Sequence, residues 1–171
     1  AALLSMSAAL QKYEGGLPCG IKFVFFDGEE CIEEYGPADG LHGSRRLAKE
    51  WSENGLLKKC RAMILLDMVG DKDLTITIPK GCTKSLIDRT LRLAQENGLG
   101  SRFRVFESDM IDDHVPFLER GVPAIDLIDF NYGPGNAFWH TTQDSLDKIS
   151  AQSIKTVADF ALGLYWNIAE D

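Results

Sequence analysis

Long apolar runs are missing from this sequence. No stretch approaches the roughly 20 consecutive apolar residues that a helix needs to cross a bilayer, so the sequence predicts no membrane span. The opening residues 1–10, AALLSMSAAL, are apolar, but they lack the basic start and the small-residue cleavage site of a signal peptide. They are interpreted as part of a helix in a globular domain.

Basic clusters are also scarce. The chain has 18 lysines and arginines against 26 acidic residues, which leaves a net charge of −8. The densest basic runs, 58–61 and 45–46, are short and typical of solvated helix surfaces. Because binding to a phosphate backbone needs clustered lysine and arginine, the sequence argues against a nucleic-acid partner.

Several catalytic motifs are absent as well. The sequence has no GxSxG nucleophile elbow, no HExxH helix and no GxxxxGK(S/T) phosphate loop. The Gly-Leu-Gly segment 98–100 follows a predicted helix rather than a strand, which makes it a poor dinucleotide fingerprint. The cysteines form no CxxC pair and are interpreted as small apolar side chains: Cys19, Cys31, Cys60 and Cys82.

Hydrophobic periodicity predicts alternating strands and helices in 171 residues, the size of one domain. Short apolar runs predict strands at 21–26, 61–69, 74–78 (with alternating polarity), 102–106 (at an edge) and 122–129. Predicted helices cover 1–13, 44–54 (capped by Ser44), 83–97, 115–120 and 150–168. The alternation predicts an α/β fold, a three-layer sandwich with a mostly parallel mixed sheet flanked by helices, as a single domain over 1–171.

Polar residues follow the ends of these predicted strands. The acids of 27–30, Asp67, the Asp-Asp-His segment 112–114 and Trp139-His140 all lie at strand ends or in connecting loops. In open α/β sheets, sites form beyond the carboxyl ends of strands. Carboxylates gathered there repel unless a cation lies among them, and mixed aspartate, glutamate and histidine ligands suit zinc. Each motif alone is typical of a solvated turn, a strand end or a helix start, but their joint order favours a metal site.

A family resemblance rests on five segments. FVFFDGEE, GLHGSRRLA, LLDMVG, IDDHVPFLERGVPA and FWHTTQD resemble, in that order, the family M28 zinc peptidases, and within them the glutaminyl cyclases and their bacterial relatives. The resemblance implies that Glu30 and His140 are zinc ligands and that Glu29 is the general acid and base. Asp67 would bind a second metal in a two-metal aminopeptidase, or join Asp112 in a carboxylate network in a single-zinc cyclase.

The resemblance also implies a pocket, a substrate and a cofactor. Trp139 and Phe138 would line the pocket, Tyr35 stands where cyclases tend to place a tryptophan, and Asp113 would support the neighbouring acids. The implied substrate is the N terminus of a peptide or protein. The implied cofactor is zinc, one ion in a cyclase and two in an aminopeptidase. Export to the periplasm or outside the cell is implied as well.

One expected zinc ligand is missing from the sequence. In the family, an aspartate that is the central metal ligand precedes the helix that residues 1–10 resemble, so we expect a chain truncated on its N-terminal side, with an uncovered sheet edge. Two enzymatic functions stay open, glutaminyl-peptide cyclotransferase and metallo-aminopeptidase. A non-catalytic binding domain on the same scaffold is the third alternative.

Overall fold

The computed structural model describes residues 1–170. Its α-helices are α1 (Ala2–Gln11), α2 (His42–Glu53), α3 (Lys84–Glu96), α4 (Val115–Leu118) and α5 (Ala151–Ala169). Its strands are β1 (Met63–Asp67), β2 (Ile76–Pro79), β3 (Phe103–Phe106) and β4 (Ala124–Ile128). Within this described part of the chain, no helix is both long and apolar enough to cross a membrane.

The four strands form one sheet in the order β1-β4-β2-β3. β1 is parallel to β4, with Leu65 opposite Asp126, and β2 is parallel to β3. β2 and β4 are antiparallel and join the two pairs. The sheet is therefore mixed and mostly parallel, which confirms the predicted α/β fold, and β3 is an edge strand as predicted.

The two faces of β4 pack in different surroundings because successive side chains of a strand point to opposite faces. Ile125 and Leu127 join the main apolar core, which also contains side chains of β2, α3 and α5. Asp126, between them, lies on the other face, where the buried His114 that precedes α4 is its neighbour. The sheet thus packs its main apolar core on one face and places Asp126 on the other, where a smaller apolar cluster contains Phe117 and Met63.

The segment 21–26, predicted as a strand, has no strand partner in the structure, and this prediction was wrong. A cavity of about 820 Å³ separates it from the edge strand β1, and the cavity is lined by apolar side chains of both, such as Phe23 and Leu65. A strand needs a hydrogen-bonded neighbour for its backbone groups. The segment 21–26 is apolar, as a buried strand would be, but a strand forms only where a neighbouring strand pairs with its backbone.

Two local predictions also require correction. Ser44 does not cap α2: the cap residue is Leu41, which has a left-handed backbone with φ of 54°. Ser44 lies in the first turn, where its hydroxyl donates to the Leu41 carbonyl at 3.2 Å. Residues 74–78 do not alternate between core and solvent, because Thr77 is as buried as Ile76 and donates its hydroxyl to the Ile128 carbonyl at 2.9 Å.

Candidate acid-rich active site

The first turn of α2 holds the acidic loop 27–30 in place. The backbone N–H groups of residues 41–43 donate to the carbonyls of residues 29, 28 and 27 at 2.9, 2.9 and 3.0 Å. These N–H groups have no partner within a helix, and the loop carbonyls satisfy them. Gly28 allows the turn, since its φ is 57°. The consequence is that Glu29 and Glu30 leave a fixed backbone.

Glu30 and His140, 110 residues apart in sequence, meet in the structure. The Nε2 atom of His140 lies 2.8 Å from Oε1 of Glu30, and both side chains are at least half exposed. The His140 ring stacks on Trp139 with ring centroids 4.0 Å apart. His140 has a φ of 54°, a conformation that few non-glycine residues adopt.

This pair fits a zinc site in part. A carboxylate oxygen and an imidazole nitrogen are both zinc ligands, and catalytic zinc sites use three protein ligands with one open position. Within residues 1–170, no three histidine, cysteine or acidic side chains are grouped so that they could hold one metal ion. Glu30 and His140 can therefore supply two ligands, and Asp67 does not complete the set here.

Glu29 is held by an aromatic hydroxyl. The Tyr35 hydroxyl donates to Oε1 of Glu29 at 2.8 Å. Burial and this hydrogen bond raise the pKa of Tyr35 well above its usual value, so the phenol stays a donor. Tyr35 was assigned to a pocket wall from the sequence; its contact with Glu29 was missed, because a six-residue separation across a loop has no recognisable pattern. The Tyr35 ring packs directly against Gly40. Any side chain at position 40 would clash with the ring, since a Cβ on Gly40 would lie 2.5 Å from it.

Three aspartates gather beside Glu29. Burial raises the pKa of Asp67, and the charge of Glu29 adds to this. Burial and the charge of Asp67 raise the pKa of Asp112 to about 7. For Asp113, burial raises the pKa to about 6, with Glu29 and Asp67 contributing and the Ser44 hydroxyl acting in the opposite direction. Each pKa shift includes the neighbouring acids, so these side chains form one electrostatic cluster.

The structure adds the buried Asp126, which the sequence did not single out, and places His114 of the segment 112–114 beside it. Asp126 is fully buried in the middle of β4, and His114 is 1% exposed beside it. The His114 Nδ1 atom lies 3.8 Å from Oδ2 of Asp126, and burial lowers the pKa of His114 to about 4, so the imidazole is neutral at pH 7. A detectable signal existed for Asp126: an acid in the middle of the apolar run AIDLI is unusual for a buried strand.

The aromatic loop after β4 lies next to the Glu30–His140 pair. Trp139 is 40% exposed and packs edge-on against Phe130, with ring centroids 5.3 Å apart. Phe138 instead packs on Tyr132 at 5.4 Å, with the Lys148 ammonium 5.2 Å from its ring centre. Trp139 is therefore placed for a pocket role, whereas the contacts of Phe138 are structural. The pocket assignments of both stay predictions.

An α/β sandwich that gathers acids and a histidine at one side of its sheet is typical of an enzyme site that can include a metal ion. The chain is a member of peptidase family M28, whose sequence profile matches residues 1–165. M28 enzymes are generally zinc-dependent.

Relatives refine this assignment. A glutaminyl-peptide cyclotransferase of Drosophila melanogaster is 33% identical, over 92% of this chain and 50% of the relative. The crystal structure of an Acidobacteriales bacterium glutaminyl cyclase is 41% identical with a TM-score of 0.78, covering 85% of this chain and 52% of that one. An aminopeptidase from Aneurinibacillus sp. strain AM-1 is 29% identical with a TM-score of 0.62, over 75% and 30%. The chain thus spans about half the length of the cyclases it matches.

Proposed function

We propose that this chain is part of a glutaminyl-peptide cyclotransferase, which converts an N-terminal glutamine of a peptide into pyroglutamate. The observation that supports this most is the placement of Glu29. It is fixed by Tyr35 and by the start of α2, next to the Glu30–His140 pair and the aspartate cluster. Cyclases among the relatives at 33% and 41% identity support the same choice.

The reaction needs a base and an acid at one position. Glu29 accepts a proton from the α-amino group of the substrate, and the freed nitrogen attacks the carbon of the side-chain amide. A new C–N bond closes the five-membered ring. Glu29 then returns the proton to the amide nitrogen, the C–N bond to that nitrogen breaks, and ammonia leaves. The hydrogen bond from Tyr35 to Oε1 holds the Glu29 carboxylate in a fixed orientation for proton transfer.

Zinc fits the same arrangement in part, since the Glu30–His140 pair supplies two of the three protein ligands of a catalytic zinc site. Glu30 and His140 would hold it, and a bound zinc ion polarises the carbonyl that is attacked. In the cyclase we expect one zinc ion. Asp67 then serves as a member of the carboxylate cluster that tunes Glu29, and its raised pKa is consistent with that role.

An aminopeptidase is the second candidate. In that reaction Glu29 would take a proton from water, Asp67 would bind a second zinc ion, and the first peptide bond would be hydrolysed. The Aneurinibacillus aminopeptidase at a TM-score of 0.62 favours it, but at lower identity than the cyclases. The third reading, a non-catalytic binding domain, has the fixed position of Glu29 against it.

A pair of assays tests these alternatives. The full-length protein, loaded with zinc, is given a glutaminyl peptide, with ammonia release as the readout, and separately an alanyl peptide, with release of free alanine. We expect ammonia release alone, and its loss in Glu29→Gln. Release of alanine would support the aminopeptidase, and the absence of both products from a folded, zinc-loaded protein would favour the binding domain. Zinc content per chain gives a second readout: one ion for the cyclase and two for the aminopeptidase.

A further inference from the structure

The loop of residues 133–148 (the His140 loop) is closed at its base by residues 70–72. At its start, the Gly133 N–H donates to Oδ2 of Asp71 at 3.0 Å. At its end, two backbone hydrogen bonds of 2.8 and 3.0 Å join residues 150 and 148 to residues 70 and 72. Both ends of the loop are therefore tied to one short segment that follows β1.

Asp71 contributes a side chain to this closure. It is 5% exposed, and both of its carboxyl oxygens accept from backbone N–H groups, Oδ1 from Asp73 and Oδ2 from Gly133, each at 3.0 Å. Hydrogen bonds to an ionised carboxylate are stronger than those between neutral groups, above all where burial excludes water. Asparagine is not equivalent at this position, because an amide has one oxygen acceptor and its nitrogen only donates. The mechanism above gives Asp71 no role.

The residue that Asp71 holds supports the segment before His140. A Cβ on Gly133 would lie 2.4 Å from the Phe138 ring, so the ring and the Gly133 backbone are in direct contact. The Phe138 N–H also donates to the Tyr132 carbonyl at 3.2 Å. His140 follows two residues after Phe138. A shift of Gly133 would therefore be transmitted to His140 through Phe138.

The backbone of the His140 loop requires such support. Gly133, Gly135, Asn136 and His140 all have positive φ, between 54° and 73°. Non-glycine residues keep such conformations only where the surrounding structure holds them. The His140 side chain is half exposed, so burial contributes little to its position beside Glu30. The position of the imidazole therefore depends on the loop backbone.

We propose that Asp71 is a positioning residue for His140: by holding the Gly133 N–H, it fixes the His140 loop and keeps the imidazole beside Glu30, where both side chains can bind a zinc ion. A ligand that is already in place lowers the ordering cost of metal binding. The consequence for catalysis rests on the proposed cyclase function, whereas the anchoring of the loop does not.

Asp71→Ala removes both acceptors and tests this role in the zinc-free, full-length protein. The amides of residues 133–140 should exchange with deuterium about tenfold faster. The His140 ring protons should lose the upfield NMR shift that the stacked Trp139 ring, 4.0 Å away, gives them. Their signals are assigned from His140→Asn. An unchanged His140 shift in Asp71→Ala would overturn the proposal.

Asp71→Asn keeps the proposal testable if the alanine variant does not fold. Its amide has a single, neutral oxygen acceptor, so both hydrogen bonds cannot be kept at wild-type strength. We expect a smaller loss of the same His140 shift. If this variant shows no loss, Asp71 does not position His140.

Asp73→Ala is the matched control. It removes the same charge two residues away, but Asp73 is exposed, and its bond to Asp71 comes from the backbone N–H, which alanine keeps. Its exchange rates and His140 shift should equal those of the wild type. Ile87→Ala, in the main apolar core, should lower the Tm without moving the His140 signals. An equal loss of shift in Ile87→Ala and Asp71→Ala would contradict a specific role for Asp71.

Zinc affinity provides the functional readout. In competition with a chelator, the Kd for zinc should rise about tenfold in Asp71→Ala and stay unchanged in Asp73→Ala. An unchanged Kd in Asp71→Ala would contradict the positioning of His140 as a ligand. In the cyclase assay, excess zinc should restore the kcat of Asp71→Ala. A wild-type protein without turnover would contradict the proposed function, while deuterium exchange and the His140 signals would still decide the role of Asp71.

Discussion

Asp112 makes protein stability depend on pH at the scale of a single residue. Its pKa in the folded protein, about 7, exceeds the ordinary value of 3.8, so between these values the folded state binds more protons than the unfolded chain. The free energy of unfolding should therefore fall as pH rises from about 4 to about 7. We expect Asp112→Asn, which stays neutral, to be more stable at pH 7 by on the order of 2 kcal/mol and to have a flatter profile.

Calorimetric Tm values across this pH range check the prediction. The control is Asp147→Asn, because hydrogen bonds from Lys148 and Ser145 lower the pKa of the exposed Asp147 to about 2. The stabilising contribution of Asp147 is lost only as pH falls below the ordinary pKa of 3.8. That pH range lies below the one in which Asp112 changes the stability. A decline that is equally steep in Asp112→Asn and in the wild type would contradict the assignment.

Trp139 is the residue that separates a substrate pocket from a structural plug. Its ring is 40% exposed and contacts Phe130 and His140. We expect Trp139→Ala to raise KM for a glutaminyl peptide about tenfold while costing less than about 1 kcal/mol of stability, since a partly exposed ring buries little area. Steady-state kinetics and Tm are measured beside Phe25→Ala, another exposed aromatic. A lower Tm with an unchanged KM would favour the plug.

At the scale of elements, the contact between α2 and the loop 27–30 decides where the two glutamates lie. Gly43 is essential to that contact, because a Cβ at this position would lie 2.8 Å from the Asp27 carbonyl and 2.9 Å from its nitrogen. The backbone would have to move. We expect Gly43→Ala to cost about 1–3 kcal/mol of stability and to lower kcat by displacing Glu29.

The matched control for Gly43 is Gly16→Ala, since a Cβ on Gly16 would meet nothing within 4 Å. It should retain both Tm and kcat. Thermal unfolding and cyclase assays on the two variants give the comparison. Equal kcat in Gly43→Ala and the wild type would mean that the loop position is not coupled to Glu29.

At the scale of the whole molecule, we predict that the 171-residue chain by itself binds zinc weakly and does not turn over a glutaminyl peptide. Within residues 1–170, Glu30 and His140 meet as a pair of candidate ligands, and no group of three is placed to hold a metal ion. A zinc site normally needs three protein ligands. Isothermal titration with zinc, with Glu30→Gln as the control, and an activity assay test this. Tight stoichiometric binding with turnover would contradict it.

Much of the architecture was predictable from the sequence, because periodicity and apolar runs report burial locally. The runs 61–69, 74–78, 102–106 and 122–129 each contain an observed strand, β1 to β4 in order. Asp67 also lies at the end of β1, as predicted from the apolar run before it. Segment 21–26 has the same apolar pattern but no strand, since pairing requires a neighbour and a cavity lies between it and β1.

The sequence by itself thus determined the α/β class and the family, because these depend on local pattern and side-chain chemistry. Only the tertiary structure decided that Tyr35 holds Glu29 and that His114 lies beside the buried Asp126. The physical reason is that desolvation and charge interactions depend on distances between residues far apart along the chain. Those distances exist only once the sheet and its loops have packed.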